Sequence, residues 1–157
     1  MDKKIIFYLS LHLMLCSVVL SVPQVEVDSG EESVQLPCKT SSKLDLPDNF
    51  SGFIPEHPAV MWTRSDLHPK SLHLQREGRD DLGGQNQRYS GRTSMRPDAL
   101  DTGDFSLTLR KPTKTDSGAY TCSISDGGDE LKVTDIQLQV KGQQQNQNVY
   151  TVKPEVQ

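Results

Sequence analysis

Beyond residue 22 the recurring pattern is two-residue alternation of apolar side chains within short segments, and helical periodicity is weak throughout. In "ESVQLPC" Val34, Leu36 and Cys38 share one face, and in "AVMWTR" Val60 and Trp62 do so. "DFSLTLR" aligns Phe105, Leu107 and Leu109, and "AYTCSIS" aligns Tyr120, Cys122 and Ile124. Successive strand residues point to opposite sides, so each segment predicts a strand with one buried and one wet face. Such strands need a second sheet to cover them. The clusters "EGRDDLGGQNQ", "RPDALDTGD", "KPTKTDSG" and "DGGD" supply the turns between them, the last short enough for a hairpin. The fold class is all-β, as a sandwich of two antiparallel sheets.

The final strand changes parity. Leu131 and Val133 are odd, whereas Ile136, Leu138 and Val140 are even. A β-bulge near Thr134 and Asp135 would keep both halves on the core; the alternative is an exposed Leu131.

The ends read differently from the middle. Lys3 and Lys4 precede an apolar run from Ile5 to Leu15, and Val19 and Ser21 stand where a secretory cleavage site needs small residues, so residues 1–21 are expected to be a signal peptide. The run is shorter than the ~20 residues of a membrane span. Residues 22–141 form the domain, and residues 142–157, "GQQQNQNVYTVKPEVQ", are expected to be a flexible Gln-rich tail. No apolar span follows, which makes the expected product secreted or, if joined to an anchor, displayed on the external side of the plasma membrane.

Cleavage removes Cys16 and leaves Cys38 and Cys122, and two cysteines in an oxidising compartment imply one disulfide. The formal charge of −4 becomes −5 when Asp2, Lys3 and Lys4 leave. A mildly acidic chain of mixed sign argues against nucleic acid as a partner. His57, His68 and His73 lack neighbours at zinc-ligand spacing and are expected at solvated positions. Asp98, Asp101 and Asp104 lack the alternating oxygen ligands of a calcium loop and are read as a turn. With no nucleophile elbow, free mature cysteine or phosphate-cradling loop, neither enzymatic activity nor a cofactor is expected.

Cys38, Trp62 and "DSGAYTC" ending at Cys122 resemble the Cys, Trp, Tyr-x-Cys framework of an immunoglobulin sandwich. The resemblance implies that the disulfide joins strand B to strand F, that Trp62 on strand C packs over it, and that Tyr120 forms a tyrosine corner. Sixty residues from Trp62 to Cys122 leave room for the extra strands of the variable type. In that type Arg92, opening strand D, pairs with Asp116. "QRYSGRTSM" and "DALDTGDFSLTLRKPTKTDSGAYTCSISDGGDELKVTDIQLQV" narrow the resemblance to the V-set ectodomains of the butyrophilin and myelin-oligodendrocyte-glycoprotein family, relatives of T-cell costimulatory ligands. It implies an extracellular immune recognition module that binds a protein receptor on immune cells and modulates T-cell activation and cytokine production. The module is expected as a monomer or a weak homodimer through its open sheet face; homophilic adhesion through the isologous interface of a two-fold dimer and a secreted decoy of a membrane-bound relative are the alternatives.

Candidate contact positions follow. Alternation puts Met61, Thr63, Ser123 and Ser125 on the uncovered sheet face, joined either by Ser71 and His73 or by Leu72 and Leu74. Asp126 and Asp129 sit on the F to G hairpin. The B to C loop has 23 residues between Cys38 and Trp62, with Pro47, Pro55 and Pro58 and a glycan acceptor at Asn49-Phe50-Ser51. Phe50, Phe53 and Ile54 either fold back as a lid or form a partner-binding knob. The secreted protein is expected to begin at Val22 and to lose a single glycan's mass on Asn49→Gln, which intact-mass spectrometry reads directly.

Overall fold

The computed structural model describes residues 21–40, 57–126 and 129–142, the side chains of Asp126 and Asp129 excepted. The signal segment, the tail beyond Gly142, and Asn49, Phe50, Phe53 and Ile54 lie outside the described residues.

Among the described residues, nine strands form two sheets. The first contains, in spatial order, β1 (Gln24–Asp28), β9 (Asp129–Lys141), β8 (Gly118–Asp126), β3 (Pro58–Thr63), β4 (Ser71–Arg76) and β5 (Arg79–Asp80). The second orders β2 (Ser33–Leu36), β7 (Leu107–Arg110) and β6 (Thr93–Ser94). All pairings are antiparallel except that of β1 with β9. A short helix, α1 (Ala99–Thr102), fills the segment between β6 and β7. It buries Ala99, while Asp98 is held by Arg96 and Asp104 accepts from Ser106.

Alternation produces the two-sided strands. β2 and β7 bury Val34, Leu36, Leu107 and Leu109, while Ser33, Gln35 and Arg110 are exposed and Thr108 is half-buried. From the facing sheet, Val60, Trp62, Tyr120, Cys122, Ile124, Ile136 and Leu138 complete the core. Cys38 lies just past β2, where its carbonyl still accepts from Phe105 N at 2.7 Å. Its disulfide to Cys122 spans a Cα separation of 6.5 Å and bridges the sheets. Fully buried Trp62 adds a second tie, donating its indole N–H to Phe105 O at 2.8 Å.

The parity change in β9 is a bulge. Cys122 stands opposite Thr134 and Ser123 opposite Lys132, so Val133 is the extra residue. It falls within one residue of the expected place, and it turns Leu131, half-buried, toward the same side as its partner Ile124, while Val133 itself packs against the core.

A second bulge overturns both expected parities of the strand after Trp62. Trp62 pairs with His73 but Thr63 pairs with Ser71, leaving Leu72 unopposed. Leu72 and His73 are therefore both fully buried, and Ser71 and Leu74 share the outer side with Thr63 and Met61. His73 is thus not solvated: Nδ1 lies 2.9 Å from Thr93 Oγ1 and Nε2 2.8 Å from Asp80 Oδ1. Satisfying both ring nitrogens is what lets a polar ring occupy the interior, and the Asp80 contact ties the two-residue β5 to the sheet.

The disulfide closes a loop spanning 84 residues. Its replacement by Cys38→Ala with Cys122→Ala is expected to cost roughly 2–5 kcal/mol, measured by urea denaturation, with near-native far-ultraviolet circular dichroism if the core still assembles.

Candidate functional site

Two regions of the sandwich carry the chemistry. At the end where β3 stops and β8 begins, Arg64 follows Trp62 by two residues and so points to the same interior side. It is only 4% exposed. Asp66 holds it in a fork, Nε to Oδ1 at 3.0 Å and Nη2 to Oδ2 at 2.6 Å. Nη1 donates to Tyr89 Oη at 2.9 Å and to the carbonyls of Thr115 and Asp116, each at 3.2 Å. The two tyrosine hydroxyls are 2.9 Å apart, and Tyr120 donates to Asp116 O at 2.6 Å, completing a tyrosine corner.

Burial alone would lower the Arg64 pKa, but hydrogen bonds to Asp66, Tyr120 and Tyr89 outweigh it and raise the pKa, so the cation is held. Tyr120 is pushed up, chiefly by burial and then by Tyr89, and stays protonated. Beside them Arg92 forms an ion pair with Asp116, which is 1% exposed. Arg92 also lies over the Tyr89 ring at 5.6 Å. Gly118 is required by this packing, because a β-carbon there would stand 2.9 Å from Arg64 Nη2. Arg64 and Tyr89 were not among the residues singled out by sequence reasoning. The even parity of Val60, Trp62 and Arg64 was the available signal.

The other region is the outer face of the six-stranded sheet. Met61 sits between its cross-strand partners Leu74 and Ser123, and Thr63 between Ser71 and Thr121. Ala59, Thr63 and Ser123 are buried although they face outward, because small side chains on central strands lie below their neighbours. Met61 and Leu74 are half-buried and form the apolar centre. Toward β9 the face is polar: Ser123 Oγ donates to Glu130 Oε1 at 2.7 Å, and Thr121 Oγ1 and Lys132 Nζ each reach Asp135 at 2.8 Å. The Lys132 and Thr121 bonds hold the Asp135 carboxyl below its usual range. Asp126 and Asp129 pair across the start of the hairpin at one end of this face.

This strand order, with its inter-sheet disulfide, agrees with the sequence: the pattern of the immunoglobulin V-set domain matches residues 22–141. The chain belongs to the immunoglobulin V-set family. Within it, this V-set domain is 35% identical over 112 residues to myelin-oligodendrocyte glycoprotein of Macaca fascicularis, a match covering 68% of this chain and 41% of the relative. It is 42% identical over 66 residues to V-set domain-containing T-cell activation inhibitor 1 of Rattus norvegicus, covering 41% of this chain and 23% of that one. The chain thus spans well under half the length of these relatives. The solved human B7-H4 IgV-like domain shares the fold at a TM-score of 0.57 and 21% identity, over 78% of this chain and 93% of that one. Among the described residues of the V-set domain no helix is long and apolar enough to cross a membrane.

Arg64→Met would strand the hydroxyls and carbonyls it serves and leave Asp66 without its partner. A loss of about 3 kcal/mol is expected, and Gly118→Ala, which crowds the guanidinium and also places a side chain at a φ of +155°, should lose about 1–3 kcal/mol. Chemical denaturation of the two variants checks the order.

Proposed function

We propose that this chain is an extracellular recognition module, without catalytic activity, that binds a protein receptor on immune cells through the outer face of its six-stranded sheet and modulates T-cell activation. The observation that carries the reading is the pairing of Met61 with Leu74 at the centre of a face otherwise made of small hydroxyl side chains and charged margins. An apolar anchor within a polar rim is the arrangement that concentrates binding energy in protein interfaces. The likeness to a relative named as a T-cell activation inhibitor supports the cellular setting. The leader expected from the sequence of residues 1–21, together with the disulfide, supports an oxidising, external location.

Asp126 and Asp129, on the hairpin at one end of the face, belong to the proposed contact surface. The ligand enters as a protein rather than a small molecule because the face is broad and built from strands, not a cleft.

The mature chain, residues 22–157, multimerised and fluorescently labelled, is expected to stain activated lymphocytes. Met61→Arg should lower staining by ~10-fold or more through loss of the anchor while leaving the melting temperature unchanged. Staining that survives this variant would move the site off the sheet face, and absence of staining on resting and activated cells would sink the reading. A robust dimer in sedimentation at micromolar concentration, abolished by the same variant, would instead establish homophilic adhesion.

A further inference from the structure

Arg92, half-buried over the buried Asp116, also organises the surface around it. Arg92 uses its remaining donors on backbone carbonyls: Nη1 to Arg88 O at 2.9 Å, Nε to Arg110 O at 3.2 Å and Nη2 to Lys111 O at 3.2 Å. One guanidinium therefore gathers the backbones of three further cationic residues. Lys114 joins them, since it begins the 3-10 turn Lys114–Asp116 that delivers Asp116 to Arg92. On the neighbouring side, Arg88 Nη2 donates to Thr115 O at 3.0 Å, which brings the two loops together.

The side chains of Arg88, Arg110, Lys111 and Lys114 are all exposed. Among the described residues none of the four is in an ion pair. The nearby acids are already committed or peripheral. Asp116 is taken by Arg92, and Asp66, whose carboxyl feels Arg88, is forked by Arg64. Glu31 and Glu32, on the turn before β2, border the patch, where Glu32 O accepts from Lys111 N at 2.8 Å. A chain of formal charge −4 thus concentrates four unpaired cations on one loop-built end.

We infer that this end is a binding site for a sulfated glycosaminoglycan chain. All four cations of the patch are exposed, which suits an extended polyanion rather than a small anion enclosed on several sides. Two of the cations are arginines, whose planar forks match sulfate oxygens, and their roots are fixed by Arg92, so little backbone freedom is lost on binding. Anionic lipids are concentrated on the cytoplasmic leaflet, so for an external protein the sulfated polysaccharide is the polyanion at hand. The inference rests on the external location and is independent of the sheet face and its receptor.

The test is binding of the mature chain to immobilised heparin at ~0.15 M salt, with desulfated heparin and phosphatidylserine vesicles as parallel surfaces. Binding to heparin alone, weakening steeply as salt rises, is expected. The variant R110Q/K111N/K114Q should lose ~10-fold or more in affinity, with Asn chosen because Lys111 has φ +47°. Arg92 keeps its carbonyl partners in this variant. R76Q/R79Q, at the far edge of the other sheet, should bind as the parent does. If the triple variant melts early, K114Q alone should still show a loss of ~2-fold or more. No binding by the parent, equal loss in both multiple variants, or a preference for the lipid vesicles overturns the inference.

Discussion

A covalent bond through the middle of the core sets what the rest of this sandwich can do. The Cys38–Cys122 bridge joins the two sheets at one depth, and Trp62, paired directly with Cys122 across β3 and β8, fills the space beside it and bonds to Phe105 O on the far side. With that point fixed, strand parity decides which residues are interior along β3, β8 and β9. A register slip of one residue would turn every inward side chain out. The bulge at Val133 is the place where β9 absorbs a conflict between its two halves without breaking that rule.

The end of the sandwich beyond Thr63 is organised by charge instead. Arg64 reaches into the interior because each of its three side-chain nitrogens has an acceptor, and Arg92, from the loop before β6, neutralises Asp116 on the loop after β7. Two tyrosine hydroxyls connect the arginines' neighbourhoods. Such a network is sensitive to removal of any one member, since the partner left behind remains buried. Met61 and Leu74, on the outer sheet face, take no part in this network.

Much of this was legible in the chain. Alternation marked both faces of β2, β7 and β8, and the parity change in β9 announced its bulge. The strand after Trp62 was not legible, and the reason is specific. "SLHLQR" alternates equally well in either register, so nothing in it signals that Leu72 is unopposed and that His73 turns inward. His73 is acceptable there only because Thr93 and Asp80, 20 and 7 residues away, supply its partners. Arg64 was hidden for the opposite reason: its parity pointed inward, but an arginine is usually placed outside unless its partners are known. Those partners, Tyr89, Thr115, Asp116 and Tyr120, come from distant parts of the chain.

The same interactions separate two surfaces that lie at different places on one small domain. The sheet face is defined by strand pairing, and its contact residues alternate with core residues, so changes to Met61 or Leu74 alter what the face presents without entering the core. The cationic end is defined by loops whose carbonyls are anchored on Arg92, so its exposed side chains can change while the anchor stays. On the proposed readings, a receptor and a polyanionic chain would therefore engage one domain at once, because the first covers strands β3, β4, β8 and β9 and the second grips the loops before β6 and after β7. Their coupling would arise mainly from effective concentration, with the polysaccharide holding the module near its receptor, rather than from any movement transmitted through a core pinned by its disulfide.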